Sequence, residues 1–199
     1  MITGNKYSFA NVLFMALVSL FCLFATPLNA AEVSLEDSLK SYAAKAPAIL
    51  TGEFEQQKWV AGFPKPLTSQ GEFVLAKDVG LLWRVQKPYE SVTVMAVNDQ
   101  DATNAQWRYV SKILLGIFNM QTAVIEQHFA IDHHYALPTH TLVLTPVTEQ
   151  LKLAIDEIRV TWQTYPQTVL IRENNGDKTV IVFSKHRALT SLPKELAHE

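Results

Sequence analysis

Two sets of residues in this sequence carry side chains that do chemistry in other proteins. Glu53 and Glu55 lie two residues apart in a strand-like segment, so their carboxylates share one face, as those of a general acid–base pair would. Four histidines also lie close together in the sequence, and imidazole nitrogens are common zinc ligands; they are His128, His133, His134 and His140. Each set is therefore a candidate for a catalytic or metal site.

Neither set predicts an active site. Adjacent residues of a strand point to opposite faces, so His133 and His134 are unsuited to one metal, and Asp132 is the only carboxylate at ligand spacing. We expect solvated loop histidines, no metal, and a wet sheet face at the two glutamates. The sequence has no G-x-S-x-G motif, no H-E-x-x-H motif and no glycine-rich phosphate loop among its 7 glycines. We expect no enzyme, no catalytic residue and no cofactor.

The first thirty residues have the pattern of a signal peptide. Lys6 gives a weakly positive start, and the apolar run from Val12 to Ala25 is about fourteen residues long, short of the ~20 that cross a bilayer. Small residues follow, so we expect cleavage after Ala30 and export to the periplasm, with an uncleaved anchor as the alternative. Cys22 lies inside the run, where it follows Phe21 and not a small residue, so a lipid-modified cysteine is not expected and the mature chain has no thiol.

The mature chain has the size of one domain. We expect a single domain over 31–188 and a weakly ordered tail over 189–199. The net charge of −2 becomes −3 when Lys6 leaves with the signal peptide, and charges of both signs are interspersed. Nucleic acid and anionic membrane surfaces attract basic patches, which this pattern lacks. We expect no nucleic-acid partner.

Alternating apolar residues and short turns predict an antiparallel sheet with a few helices. A helix begins near Ser34 and ends at Pro47, and a second helical stretch covers Tyr109 to Phe129. The remaining segments have strand character; they are Thr51–Val60, Ser69–Lys77, Leu81–Gln86, Ser91–Val97, Thr139–Thr145, Ile155–Trp162, Gln167–Glu173 and Lys178–Ser184. The fold class predicted is mainly β with helices.

Several predicted strands carry apolar residues on both faces. Phe73 and Leu75 alternate with Val74, and Leu81 and Trp83 alternate with a second leucine. One apolar face packs under a helix. The second face has three interpretations: the filled interior of a barrel, a dimer interface, or a cavity for an apolar ligand.

Four short motifs, in order, resemble the LolA family of periplasmic carriers of outer-membrane lipoproteins. They are Phe54-Glu55-Gln56-Gln57-Lys58, Gly71-Glu72-Phe73-Val74-Leu75-Ala76-Lys77, Leu82-Trp83-Arg84-Val85 and Lys87-Pro88-Tyr89-Glu90-Ser91-Val92. Leu144-Thr145-Pro146 and the closing hairpin from Leu170 to Phe183 are similar as well. The resemblance covers most of the mature chain, although each motif is short.

The resemblance implies an incomplete, curved antiparallel β-barrel closed by helices that act as a lid over an apolar cavity. Such a monomeric carrier would take an acylated cargo from an inner-membrane release complex to an outer-membrane acceptor. The cavity residues that we expect are Phe54, Trp59, Phe73, Leu75, Leu81, Trp83, Val92 and Val94 from strands, and Leu114, Ile117 and Phe118 from the lid. Lys77 stands where the family has an arginine that helps to hold the lid, and a solvated turn lysine is the alternative.

The middle of the chain departs from the LolA pattern. Trp107 leads directly into Ile113-Leu114-Leu115-Gly116, which together with Ile125–Phe129 and Glu173–Phe183 is similar to a LolA-like side branch. Members of that branch occur beside aryl-polyene or xanthomonadin-type biosynthesis genes, so an aryl-polyene lipid is a candidate cargo. The rival functions are a lipid-sensing regulatory domain on the same fold and, less expected, an acyl-ester hydrolase.

Overall fold

The structure is a computed structural model that describes residues 34–96, 115–116, 119 and 121–197. The signal peptide expected over 1–30 lies outside these residues. The described residues form three short helices and nine strands; they are α1 (Leu35–Lys45), β1 (Ile49–Trp59), β2 (Leu67–Ala76), β3 (Gly80–Lys87), β4 (Ser91–Ala96), α2 (Thr122–Glu126), β5 (Phe129–Ala136), β6 (Thr139–Pro146), α3 (Glu149–Lys152), β7 (Ile155–Trp162), β8 (Pro166–Glu173) and β9 (Lys178–Ala188).

All nine strands belong to one sheet in the order β4-β3-β2-β1-β9-β8-β7-β6-β5. Every neighbouring pair is antiparallel, and β4 and β5 form the two edges without pairing to each other. The sheet is therefore not closed into a barrel. This confirms the predicted fold class, a mainly β protein with an incomplete antiparallel barrel and few helices.

The strands bury one face in a continuous hydrophobic core, which we call the core face. Because side chains alternate along a strand, every second residue contributes to it. Phe54 of β1, Phe73 of β2 and Leu81 of β3 belong to the same cluster as Leu142 and Val160, which lie on β6 and β7. The apolar layer thus runs across almost the whole width of the sheet.

Helix α1 covers part of the core face. Ser34 caps its N-terminus by accepting a hydrogen bond from the backbone N–H of Asp37 at 3.1 Å, and Pro47 follows the C-cap residue Ala46. Leu39 and Tyr42 project from α1 into the core cluster. The helix predicted between Ser34 and Pro47 is confirmed, and its apolar stripe is what holds it to the sheet.

The opposite face, which we call the outer face, carries a smaller cluster. Val74, Ala76 and Leu82 pack there against Leu196. Leu196 is only 1% exposed, and Arg84 pairs with Glu195 at 2.6 Å. Leu196 thus covers the apolar strip that β2 and β3 leave on this face, and the weak order expected of residues 189–199 stays a prediction.

Strand β5 was not predicted. The sequence analysis extended a helix to Phe129 and placed the histidines in loops, whereas Phe129–Ala136 pairs along its whole length with β6. The last described part of the predicted helix is α2, which ends at Glu126. Its predicted start at Tyr109 lies outside the described residues.

Candidate binding site

A pocket lies at the C-terminal end of α1, where the helix meets β1 and β2. Its volume is about 40 Å³, and Leu50 and Leu75, which are direct cross-strand partners, form its sheet side. The full lining is Tyr42, Ala46, Pro47, Leu50, Leu75, Lys77 and Asn119. Most of these side chains are apolar, with the polar groups of tyrosine, lysine and asparagine among them.

Local hydrogen bonds hold this pocket together. The backbone N–H of Lys77 donates to the carbonyl of Ala48 at 2.9 Å, which fixes the β2–β3 turn beside Pro47. The turn itself bends through Asp78, whose φ of 61° lies in the left-handed region that aspartate tolerates better than most residues. Lys77 is exposed, so its ammonium group is free to meet solvent or a ligand headgroup at the pocket.

Burial governs the chemistry of Tyr42. Its side chain is buried and lines the pocket, and this burial, together with a smaller contribution from Tyr165, raises the pKa of the phenol to about 12. The phenol is therefore neutral at physiological pH. The pocket thus combines apolar walls with a neutral hydroxyl, from Tyr42, and one exposed cation, from Lys77.

Five of the residues predicted for the cavity come together on the core face. Phe54 stacks on Trp83 with ring centroids 3.7 Å apart and planes 24° from parallel, and Phe73 meets Phe183 edge to face at 5.3 Å. Leu75 and Leu81 belong to the same cluster. These side chains pack against one another, and of the five only Leu75 lines the pocket.

Gly71 lets the backbones of β2 and β3 approach closely beside the Phe54–Trp83 stack. It lies on β2, directly opposite Phe54, and a Cβ there would lie 1.9 Å from the carbonyl oxygen of Arg84. The absence of a side chain at Gly71 therefore allows the close backbone approach between β2 and β3.

Three predicted cavity residues lie elsewhere. Val92 and Val94 are on the outer face, since Val92 opposes Arg84 and Val94 opposes Leu82; Val92 is 54% exposed. Trp59 follows Phe54 by five residues and so faces the other way, where Lys178 Nζ lies 4.3 Å from its ring centroid. The sequence did not determine which face of β4 turns toward the core, because apolar residues lie on both faces of this strand.

The lid residues Leu114, Ile117 and Phe118 lie outside the described residues. Their neighbour Leu115 is described and belongs to the core cluster, and Ile125 of α2 joins it. The stretch between β4 and β5 therefore contributes apolar side chains to the cover of the core face. The assignment of the three lid residues to ligand binding stays a prediction.

Five pocket residues were not among the predicted site residues; one of them, Asn119, lay inside the helical stretch expected over 109–129. Tyr42, Ala46 and Pro47 were interpreted only as the face and end of a helix, and Leu50 lay just before the predicted start of a strand. The available signal was the apolar stripe of α1, which had to face something on the sheet.

The glutamates predicted as a wet sheet face have separate partners. Glu53 pairs with Lys185 at 2.8 Å, and Glu55 accepts a hydrogen bond from Gln57 at 3.0 Å. Within the described ranges, no group of three or more histidine, cysteine or acidic residues has a geometry suited to a metal ion. No helix among the described residues has the length and apolar character needed to cross a membrane.

His133, His134 and His140 lie on strands, which corrects their assignment to loops, whereas His128 lies in the turn between α2 and β5. His133 and His140 are half-buried beside Trp162, whereas His134 is exposed and pairs with Asp132 at 3.1 Å. His133 and His134 do point to opposite faces, as expected of neighbours on a strand. The loop interpretation failed because histidine and aspartate occupy positions where strands usually carry β-branched residues.

No family model and no curated protein sequence matches this chain. Among solved structures, a LolA superfamily protein from Nitrosomonas europaea aligns with 84% of this chain and 98% of its own length, at 8% identity and a TM-score of 0.46. The MucA/MucB complex of Pseudomonas aeruginosa aligns with 82% of this chain at 12% identity and a TM-score of 0.43, and the aligned part spans 60% of that chain. Identities and TM-scores this low say nothing about what this chain binds.

Proposed function

We propose that this chain is an exported periplasmic protein that binds an acylated, apolar cargo between α1 and the core face and carries it toward the outer membrane. The observation that carries the proposal is the pocket at the end of α1, which opens onto a core face that is apolar across almost the whole sheet. A largely apolar pocket with few polar groups is the usual form of a site for a small apolar ligand.

The pocket must enlarge to take an acyl chain. A volume of about 40 Å³ is room for roughly three water molecules, not for a long hydrocarbon. Helix α1 is the element that we expect to move, because few large side chains, chiefly Leu39 and Tyr42, hold it to the sheet. Exposing two such side chains costs about 3–6 kcal/mol.

An acyl chain repays this cost. Burial of a methylene is worth ~0.8 kcal/mol, so a chain of about twelve methylenes gains roughly 10 kcal/mol when it replaces α1 on the sheet. Opening is therefore unfavourable in the empty protein and favourable with cargo. A carrier needs this balance because its site must close in water and open at a membrane.

The polar groups of the pocket suit the head of such a cargo. Lys77 is an exposed cation at the pocket, and Tyr42 is a neutral hydroxyl in its wall. An acylated lipoprotein terminus and an aryl-polyene lipid both combine an apolar tail with a polar head. The aryl-polyene cargo rests on the resemblance of the central segment alone.

A pair of variants on α1 tests the proposal. Ala46→Trp fills the pocket, whereas Ala44→Trp places the same side chain on an exposed position of the same helix. We expect a fluorescent polyunsaturated fatty acid to bind the mature protein and the Ala44 variant alike, and to bind the Ala46 variant at least about tenfold more weakly. Equal binding by both variants, or no binding by the mature protein, would contradict the proposal.

Transfer separates the carrier from the sensing domain. A carrier loaded with the same fluorescent probe should deliver it to acceptor vesicles faster than the probe leaves donor vesicles unaided. Tight binding without accelerated delivery would favour the regulatory alternative and overturn the carrier.

A further inference from the structure

Four rings form one row at the end of β5, β6 and β7. Tyr135 opposes His140 across the β5–β6 pair, and His140 opposes Trp162 across the β6–β7 pair. His140 stacks between them, with centroids 4.4 Å from Tyr135 and 4.8 Å from Trp162. His133 lies next to this stack, 5.8 Å from Trp162. The row continues the core face, because Trp162 is itself part of the core cluster.

The two imidazoles meet nitrogen to nitrogen. Nε2 of His133 and Nδ1 of His140 are 3.3 Å apart, while the ring centroids are 5.6 Å apart and the planes differ by only 10°. The contact is thus between ring edges in nearly one plane, and one N–H can donate to the nitrogen of the other ring. This hydrogen bond can form in the neutral pair and in the pair that carries one added proton, because in both states one of the two facing nitrogens is an acceptor.

The charged groups that influence His133 besides its burial are its neighbours on β5: His134 lowers its pKa and Asp132 raises it. On β5, Asp132 and His134 project from the other face and pair with each other at 3.1 Å. His140 is the only titratable residue of β6, and the titratable residues of β7 are Asp156, Glu157 and Arg159. Glu157 and Arg159 pair with each other and alternate with the core-face residues of β7. Asp156 lies six residues from Trp162, about 20 Å along the strand.

We propose that His133 and His140 form a proton-operated latch that ties edge strand β5 to β6 when the pair is neutral or singly protonated, and releases it when both rings are protonated. Two imidazolium ions at this separation repel each other, and neither facing nitrogen is then an acceptor. A single positive charge, in contrast, is favourable between the faces of Tyr135 and Trp162. Release affects an edge strand, which has only one neighbour to hold it.

The position of β5 gives the latch a structural consequence. Two residues separate the end of α2 from Phe129, the first residue of β5. Phe129 belongs to the core cluster together with Ile125 of α2. Loosening β5 therefore loosens the anchor of the α2 segment on the core face. This step does not depend on what the pocket binds.

The titration of the pair agrees in direction. Burial lowers the pKa of both His133 and His140 from the usual 6.5. The positive charge of His133 lowers the pKa of His140 further, and that of His134 lowers the pKa of His133, against a smaller opposite effect of Asp132. A histidine with a lowered pKa in the folded state stabilises the fold above its unfolded pKa, and this contribution is lost as the pH falls through 6.5 and below. The latch is thus closed at neutral pH and opens in acid.

Hydrogen exchange of the full mature chain at pH 7.5 and pH 5.0, corrected for the intrinsic dependence of exchange on pH, tests the latch. We expect the exchange of β5 amides to accelerate at least about tenfold on acidification, because protonation of both rings removes the hydrogen bond that holds this edge strand. His133→Gln and His140→Gln should each remove most of this acceleration. His134→Gln, one position along on the other face, should keep it.

Two results would overturn the proposal. One is the same acceleration of β5 in the His133 and His140 variants as in the natural sequence. The other is an acceleration spread equally over β5 and the central strands β1 and β9, which would indicate global destabilisation.

Discussion

Replacement of Leu196 by alanine should destabilise the protein more than its position near the C-terminus suggests. Leu196 is 1% exposed and fills the outer-face cluster between Val74 and Leu82. Two other contacts hold the same segment: the Arg84–Glu195 ion pair and the hydrogen bond from the backbone N–H of Leu189 to the carbonyl of Ile49 at 2.9 Å. The question is which of these contacts dominates.

The side chain should dominate. Replacing a buried leucine by alanine costs about 2–5 kcal/mol, and a segment near a chain end relaxes into the space, so we expect about 2–3 kcal/mol in the free energy of unfolding. The Arg84–Glu195 pair has both side chains 40% exposed, and a pair so exposed contributes at most about 1 kcal/mol. Removing Glu195 should therefore cost less than removing the leucine side chain.

Urea unfolding measures the difference. Leu192→Ala is the matched control, because Leu192 lies in the same segment but is 37% exposed, and it should lower the free energy of unfolding by less than about 1 kcal/mol. A Leu196→Ala cost no larger than that of the control would show that the segment does not pack on the outer face, and would refute this reasoning.

Three further predictions concern single residues. Gly71→Ala forces a Cβ into the carbonyl of Arg84 and should cost about 3 kcal/mol or more in urea unfolding, whereas Gln70→Ala should cost little; equal costs would contradict the close approach. Burial lowers the pKa of His186, so stability should fall as the pH drops below about 6.5, and His186→Phe should reduce that fall in thermal melts; an unchanged fall would count against it. The raised pKa of Tyr42, about 12, predicts stability lost between pH 10 and 12, which Tyr42→Phe should abolish in the same assay; a loss that persists would contradict the burial of the phenol.

The sheet was largely predictable from the sequence because its strands alternate cleanly. Ile155–Trp162 was predicted residue for residue, and the hairpin from β8 to β9 follows from its asparagine- and glycine-containing turn. Strand β5 was not predicted because its core-face positions after Ile131 hold His133 and Tyr135. A pattern of alternating apolar residues does not include such polar side chains. His133 is half-buried beside Trp162 of β7, and Tyr135, although 37% exposed, stacks on His140 of β6.

The binding site was predictable only in part. Phe54, Phe73 and Trp83 of β1, β2 and β3 come together on the core face, because alternation along each strand puts them on that side, and their part in ligand binding stays a prediction. The inward face of β4 could not be read from its sequence, because Val92 and Val94 are as apolar as the alternating Met95, and only the pairing with β3 decides. The pocket itself depends on where α1 lies against the sheet, a long-range contact that no local pattern encodes.

Native mass spectrometry with lipid extraction, on the protein purified from the periplasm of its own host, tests the central claim most directly. We predict a fraction of molecules with extra mass that is released as an acylated or aryl-polyene species, and loss of that mass in Ala46→Trp but not in Ala44→Trp. An unliganded mass in every preparation, with no uptake of purified acylated compounds, would contradict the account.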